Sequence, residues 1–396
     1  MKTNFSVVPQ MINKSPRLAA RTAKSFLLNS KTRHLDYRFL RGRTQNLALV
    51  YMKLTPMCNL RCVMCGQRGD KGVLKGKYAL DESKKILSLE EYKKFIDQMW
   101  FHRPLFYLWG GEPFMYPHLM DLSAYIVKKG MGLTINTNGT YLEENAERIV
   151  KDKWGAIFIS LDGFEDVNDK IRGKGSYQKV MNGIKALDRE KKKQNSQLPH
   201  VGIVSVVSNM NYLHLDELVV AGQDYGLSWH IINLGTYTND SIVQQNTQFY
   251  QDTFGIDHKH LDAYNTGYNN GIDGEKLSGI LDKIHDMNSK YPIITVPKIS
   301  SSKIGEYYSH PETVVRSKCP IPWSQVNINY NGDVHFCADY PDYTLGNIKD
   351  EKFFKIYNNE KAVKFRKELK KTEHGLFPGC LRCYQNMLFG KRMKGF

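Results

Sequence analysis

Between positions 47 and 235 there are six β-forming runs, and after the first of them and the cysteine loop that follows it, strands alternate with amphipathic helical stretches. The runs are LALVYMKL at 47–54, LFYLW at 105–109, GLTINT at 132–137, GAIFISLD at 155–162, HVGIVSVV at 200–207 and LSWHIINLG at 227–235. Helical patterns at 118–130, 143–152, 177–193 and 214–226 lie between the later runs. Strands separated by helices of this length pair in parallel, because the chain needs a crossover to return to the same edge. The sheet is then covered by its own helices. Six such units are fewer than the eight of a closed TIM barrel, so the expected fold is α/β, a partial (β/α)6 TIM-like barrel. Chemistry in such folds gathers at the C-terminal ends of the strands.

The 396 residues leave room for more than this core. Residues 1–46 read as a basic N-terminal arm, and positions 1–45 carry ten Lys/Arg against one acid, Asp36. Ser15-Pro16 reads as a helix start, with that helix running to Leu28. Residues 47–235 form the core, and 236–318 an irregular connector rich in Asn and Tyr with a helix at 275–290. Residues 319–396 read as a small cysteine-bearing unit, with a β-hairpin turning at Asn331-Gly332 and a helix pair over 353–371. The net charge of +16 gives the arm two readings, a solvated face or attraction to an anionic partner such as a membrane surface or nucleic acid. No run of eighteen apolar residues and no signal-peptide core is present, so a cytoplasmic protein without a transmembrane helix is expected.

The seven cysteines fall into two groups. Cys58, Cys62 and Cys65 share one short loop, CNLRCVMC, directly after the first strand. Cys319, Cys337, Cys380 and Cys383 lie near the C-terminus. Closely spaced cysteines in a reducing compartment suggest metal more than disulfides. Structural zinc takes four ligands, and a four-iron cube closed by protein also takes four. Three thiolates on a cube leave one iron open to a small molecule, which gives the trio a purpose.

The Cx3Cx2C spacing after a first strand resembles the radical S-adenosylmethionine (SAM) superfamily. The resemblance implies that the open iron chelates SAM. Reductive cleavage then yields a 5′-deoxyadenosyl radical that takes a hydrogen atom from an unreactive C–H bond. WGGEPF at 109–114 is similar to the family's Gly-Gly-Glu-Pro motif, in which Gly110, Gly111, Glu112 and Pro113 would hold the SAM ammonium. INTNG at 135–139 (Asn136, Asn138), SLDG at 160–163 (Ser160, Asp162) and Arg172 resemble the SAM-contacting strand ends. Met64 stands where the family often has an aromatic residue. A methionine can still pack against adenine.

The second group, Cys-x17-Cys-x42-Cys-x2-Cys, fits a closed four-thiolate site. It resembles the SPASM/Twitch extension behind some radical SAM cores. With only four cysteines it resembles the shorter, one-cluster Twitch form, which implies one auxiliary [4Fe-4S] cluster that accepts an electron from substrate. A zinc ribbon is the alternative. No cysteine remains to quench a radical or to carry a methyl group. Oxidation also needs an acid/base residue, and His230, His335 and Asp339 are the candidates. Tyr237 and Tyr264 are candidates to line the pocket.

The expected function is oxidation of a small polar metabolite, such as a sugar, aminocyclitol or envelope precursor. Only residues 1–46 precede the first strand, too few for the winged-helix module that many peptide-modifying relatives carry there. The alternative is a peptide or protein maturase that makes a crosslink or an oxidised residue. A remote alternative is a zinc-containing nucleic-acid-binding protein. A flavodoxin or ferredoxin is the expected reductant.

Overall fold

The structure is a computed structural model that describes residues 35–338 and 340–396. The helix expected from Ser15 to Leu28, and Asp339, lie outside the described residues. The strands are β1 (Leu49–Lys53), β2 (Leu105–Trp109), β3 (Gly132–Thr137), β4 (Ala156–Ser160), β5 (His200–Val206), β6 (Trp229–Asn233) and β7 (Ile293–Val296). They are followed by β8 (Arg316–Ser317), β9 (Gln325–Ile328), β10 (Asp333–His335), β11 (Gly346–Asn347) and β12 (Lys391–Arg392). β8 and β12 form a separate small pair. The other ten make one sheet in the order β11-β10-β9-β1-β2-β3-β4-β5-β6-β7.

The six strands expected from the sequence are all present and pair in parallel. Two more join them. β7, inside the supposedly irregular connector, pairs in parallel with β6. β9, from the C-terminal unit, pairs in parallel with β1, with Leu49 opposite Gln325. The parallel run therefore has eight strands, yet it stays open, because antiparallel β10 and β11 continue it at one edge. The C-terminal hairpin is thus an extension of the barrel's own sheet. The connector also holds a 15-residue helix, Asp240–Phe254, with Asn239 capping its start and Gly255 in the left-handed conformation at its end.

The two faces of the sheet differ sharply. Val50, Met52, Phe106, Leu108, Leu133, Ile135, Ile157 and Ile159 point outward and are at most 1% exposed. They pack with helix residues such as Leu122, Ile126, Ile149 and Leu187 in one core. Fully burying each such side chain is worth about 1.5–3 kcal/mol. The alternate positions point inward. Tyr51, Tyr107, Phe158 and Trp229 stack in a row across the interior, with ring centroids 5.0, 5.7 and 5.0 Å apart. This aromatic row lines the interior of the sheet, below the C-terminal strand ends where the cysteine loop lies.

The described end of the basic arm is tied down. Asp36 accepts hydrogen bonds from Thr44 Oγ1 and Gln45 N, and Thr44 Oγ1 also donates to Trp323 O. Among the described residues no helix is long and apolar enough to cross a membrane.

Candidate active site

The loop after β1 carries the first three cysteines and is fixed by backbone contacts. Cys65 N donates to Cys62 O, and Val63 N donates to Ile171 O on the helix Glu165–Arg172. Leu60 N and Gln67 N point at Cys58 Sγ and Cys65 Sγ, each at 3.4 Å. The three thiols are half-buried, and their proximity adds to the upward shifts of Cys58 and Cys62. Burial pushes Cys58 up to about 12 and Cys62 up to about 11, with Arg172 opposing the shift at Cys62. Loading a cluster here must therefore displace tightly held protons.

The segment after β2 lies flush against this loop. Gly111 N donates to Thr55 O at 2.9 Å, and Glu112 N to Met57 O at 2.7 Å. A Cβ on Gly111 would fall 1.9 Å from Met57 O, and Gly110 adopts a φ of +145° beside Thr55. Only glycine tolerates this approach. Pro113 then opens a short 3₁₀ turn.

Glu112 is fully buried, and its carboxylate accepts from Thr137 Oγ1 (2.7 Å), Asn138 N (2.8 Å) and Phe114 N (3.2 Å). Burial raises its pKa to about 7 against these three donors. In this structure Glu112 brackets the ends of β2 and β3. Asn138 continues the bracket, donating through Nδ2 to Asn59 Oδ1 at 2.8 Å and pointing at Cys58 Sγ at 3.9 Å.

Asn136 and Ser160 are half-buried on the inner face, at the open end of the barrel. Asp162 and Arg172 form a buried ion pair, Nε to Oδ2 2.7 Å. Asp162 also accepts from Val206 N, and Arg172 Nη1 donates toward Cys62 Sγ at 3.8 Å. Asp162 thus positions Arg172 beside the cysteine loop, out of reach of a ligand itself.

The four C-terminal cysteines come from three separated segments. Cys319 lies within electrostatic reach of Cys380 and Cys383, and Tyr250 within reach of Cys337, Cys380 and Cys383, in one packed region. Burial raises Cys319 and Cys380, the latter to about 11. Arg382, within the Cys380–Cys383 turn, is 1% exposed and donates to the carbonyls of Tyr307, His310 and Thr313. It locks the turn to the connector. Among the described residues no group of three Cys, His, Asp or Glu side chains is drawn together around a single point. A four-iron cube spreads its thiolates further apart, and both sets suit that donor chemistry.

A narrow pocket lies between the two sets. It is lined by Lys53 and Trp109 at the ends of β1 and β2, Gly66 and Gln67 just after Cys65, Ala338 and Pro341 just after Cys337, and His260 and Tyr264 from the connector. A Cβ on Gly66 would meet the Tyr264 ring at 2.7 Å.

The acid/base candidates fare differently. His230 is corrected. It stands opposite Ile203, on the helix-facing side of the sheet, while its neighbour Trp229 points inward. It is fully buried, contacts Ser205 Oγ at 2.8 Å, and burial pushes its pKa down to about 3. The two-residue period of a strand decides this: Trp229 points inward, so its neighbour His230 points outward. His335 shares the inner face with Asn327 and Tyr51 but is 3% exposed and does not line the pocket, with its pKa lowered to about 4 by burial. Asp339 lies outside the described residues. Tyr264 lines the pocket; Tyr237 instead hydrogen-bonds Tyr307 O and Arg382 Nε.

His258, His260 and Asp342 were missed by sequence reasoning. His260 Nδ1 lies 2.7 Å from Asp342 Oδ1, and His258 Nε2 3.4 Å from Asp342 Oδ2. Their separation of more than eighty residues hides the pairing, though H-x-H at 258–260 was visible.

Residues 52–242 match the family model for the radical SAM superfamily, and residues 319–384 match that for an iron–sulfur cluster-binding (SPASM) domain. The Fe-coproporphyrin III synthase of Methanosarcina barkeri is 36% identical over 34% of this chain and 33% of its own. The mycofactocin maturase MftC of Mycolicibacterium smegmatis is 29% identical over 50% of this chain and 47% of its own. The match thus spans between a third and a half of the length of these two curated relatives. Streptococcus suis SuiB bound to S-adenosylmethionine superposes with a TM-score of 0.62 at 14% identity, covering 89% of this chain and 76% of that one. That likeness concerns the fold.

Proposed function

This chain belongs to the radical SAM superfamily and carries a C-terminal SPASM iron–sulfur domain, and we propose that it is a maturase acting on a peptide or protein. The observation that carries this reading is the similarity to the mycofactocin maturase, and the place it gives the chemistry is the pocket whose walls come from the residues just after Cys65 and just after Cys337. A substrate seated there lies between both cysteine sets. When bound, SAM and its cluster supply a 5′-deoxyadenosyl radical for hydrogen-atom abstraction, and the second cluster supplies a one-electron acceptor.

The chain's own residues hold and orient. Cys58, Cys62 and Cys65 would ligate the first cluster, and Cys319, Cys337, Cys380 and Cys383 the second. Gly110 and Gly111 give the backbone a close approach, and Glu112 and Asn138 keep it in register with the cysteine loop. Arg172, Ser160 and Asn136 would meet polar groups of SAM. The aromatic row of Tyr51, Tyr107, Phe158 and Trp229 lines the interior below them. Low-potential clusters suit a reducing cytoplasm and a flavodoxin- or ferredoxin-type donor.

Support for a peptide comes from the maturase relative, 29% identical over half of this chain. A small metabolite is the second reading. The 36% identical relative, named for a porphyrin product, favours it, as does the narrowness of the pocket.

The test is anaerobic. Reconstituted protein receives SAM, a reductant and cell extract split by ultrafiltration, and 5′-deoxyadenosine is counted. The maturase reading expects stimulation by the macromolecular or peptide fraction, with a mass shift in one component. Stimulation by the small-molecule fraction alone would overturn it and favour the metabolite.

A further inference from the structure

We propose that His260 is the proton acceptor of the pocket between the two cysteine sets, held for that task by Asp342. The substrate would be one whose reacting carbon bears an adjacent N–H or O–H group. The inference rests on the radical chemistry proposed for this pocket, whatever the size of the substrate.

Geometry singles out His260. It begins the 3₁₀ turn His260–Tyr264, lines the pocket beside Lys53, Trp109 and Tyr264, and its side chain is 32% exposed. Asp342, 6% exposed, accepts from Lys259 N through the same Oδ1 that faces His260 Nδ1. Burial pulls the Asp342 carboxyl upward, but His260, His258 and the Lys259 amide together hold it below the usual carboxylate range. A carboxylate only accepts, so the proton of a neutral His260 sits on Nδ1. The lone pair is then on Nε2, which has no hydrogen-bond partner among the described residues. This is the logic of a carboxylate fixing the tautomer of a catalytic imidazole.

His258 completes the arrangement. It is buried, lies 3.4 Å from Asp342 Oδ2, and rests against Tyr250 with ring centroids 4.2 Å apart. Tyr250 in turn stands beside Cys337, Cys380 and Cys383. The base therefore sits on the wall the pocket shares with the second cysteine set.

The step balances as follows. The hydrogen atom on carbon leaves to the 5′-deoxyadenosyl radical and forms 5′-deoxyadenosine. The proton of the adjacent N–H or O–H leaves to His260 Nε2. The remaining electron leaves to a one-electron iron–sulfur acceptor, and a C=N or C=O bond forms. The substrate is oxidised by two electrons.

Two readouts test this. The first needs no substrate. Cluster-loaded protein is treated with diethyl pyrocarbonate and each histidine is followed by peptide mass spectrometry. His260 should react at least about tenfold faster than buried His258, and Asp342→Asn should change the His260 rate several-fold. Equal rates for the two histidines, or no effect of Asp342→Asn, would overturn the proposal. The second uses whichever extract fraction stimulates the wild type. In His260→Asn, product should fall by about 10²- to 10⁴-fold, and the ratio of 5′-deoxyadenosine to product should rise accordingly. In His260→Ala, added imidazole should restore part of the lost product. Product within tenfold of wild type in His260→Asn would overturn the proposal. Stimulation by the small-molecule fraction alone overturns the maturase reading and leaves this test intact.

Discussion

Cys62→Ala is expected to abolish SAM cleavage while the protein remains folded. A cube held by three thiolates has no spare protein ligand, so losing one should empty that site. Bound iron should fall from about eight to about four per chain, because the C-terminal set contributes its own four thiols. The side chain is small and half-buried, in a loop fixed by backbone bonds, so the fold should survive. Iron analysis, circular dichroism and 5′-deoxyadenosine counting on one anaerobic preparation check all three statements. Retention of all iron in Cys62→Ala would remove Cys62 from the ligand set.

Gly111→Ala is expected to be nearly as damaging, through backbone alone. The new methyl would sit 1.9 Å from Met57 O and 2.5 Å from Met57 C. Neither is the end of a flexible side chain, so the strand end and the cysteine loop must separate. That breaks the bonds from Gly111 N to Thr55 O and from Glu112 N to Met57 O. A destabilisation on the order of 3 kcal/mol is expected, with loss of SAM cleavage in the fraction that folds. Gly279→Ala is the control. It lies in the helix Gly274–Asp286 with nothing within 4 Å of its Cβ, and it should gain up to about 1 kcal/mol. Thermal melts of both variants decide the matter. Unchanged stability and turnover in Gly111→Ala would mean that the close approach is unimportant.

The six core strands were legible because each has a β-rich run, and the second to fifth are each followed by a helical period. The hairpin at Asn331-Gly332 was legible from its turn chemistry, and β9 and β10 flank it as expected. β7 was not, since four residues between Pro292 and Pro297 carry too little pattern to separate strand from loop. The helix Asp240–Phe254 was hidden by its polar composition, although Asn239 and Gly255 mark its ends. The pairing of β9 with β1 joins residues more than 270 apart, and no local signal announces it.

At the site, the loop of Cys58, Cys62 and Cys65 and the Gly-Gly-Glu-Pro segment were legible because their spacing is local. The pocket's acid/base group was not. His230 attracted attention by lying on a core strand, but strand alternation turns it away from the mouth. His260 owes its place to Asp342, which a sequence cannot set beside it. The preference for a small metabolite leaned first on the four-cysteine, one-cluster form of the C-terminal unit. The maturase relative now weighs on the other side.

The most direct test of the account is Mössbauer spectroscopy of the reconstituted wild type, with and without SAM. The account predicts two [4Fe-4S] clusters per chain, about eight irons, with SAM perturbing the spectrum of one cluster only. One cluster per chain, or SAM perturbing both or neither, would contradict the division of the seven cysteines into an open set of three and a closed set of four.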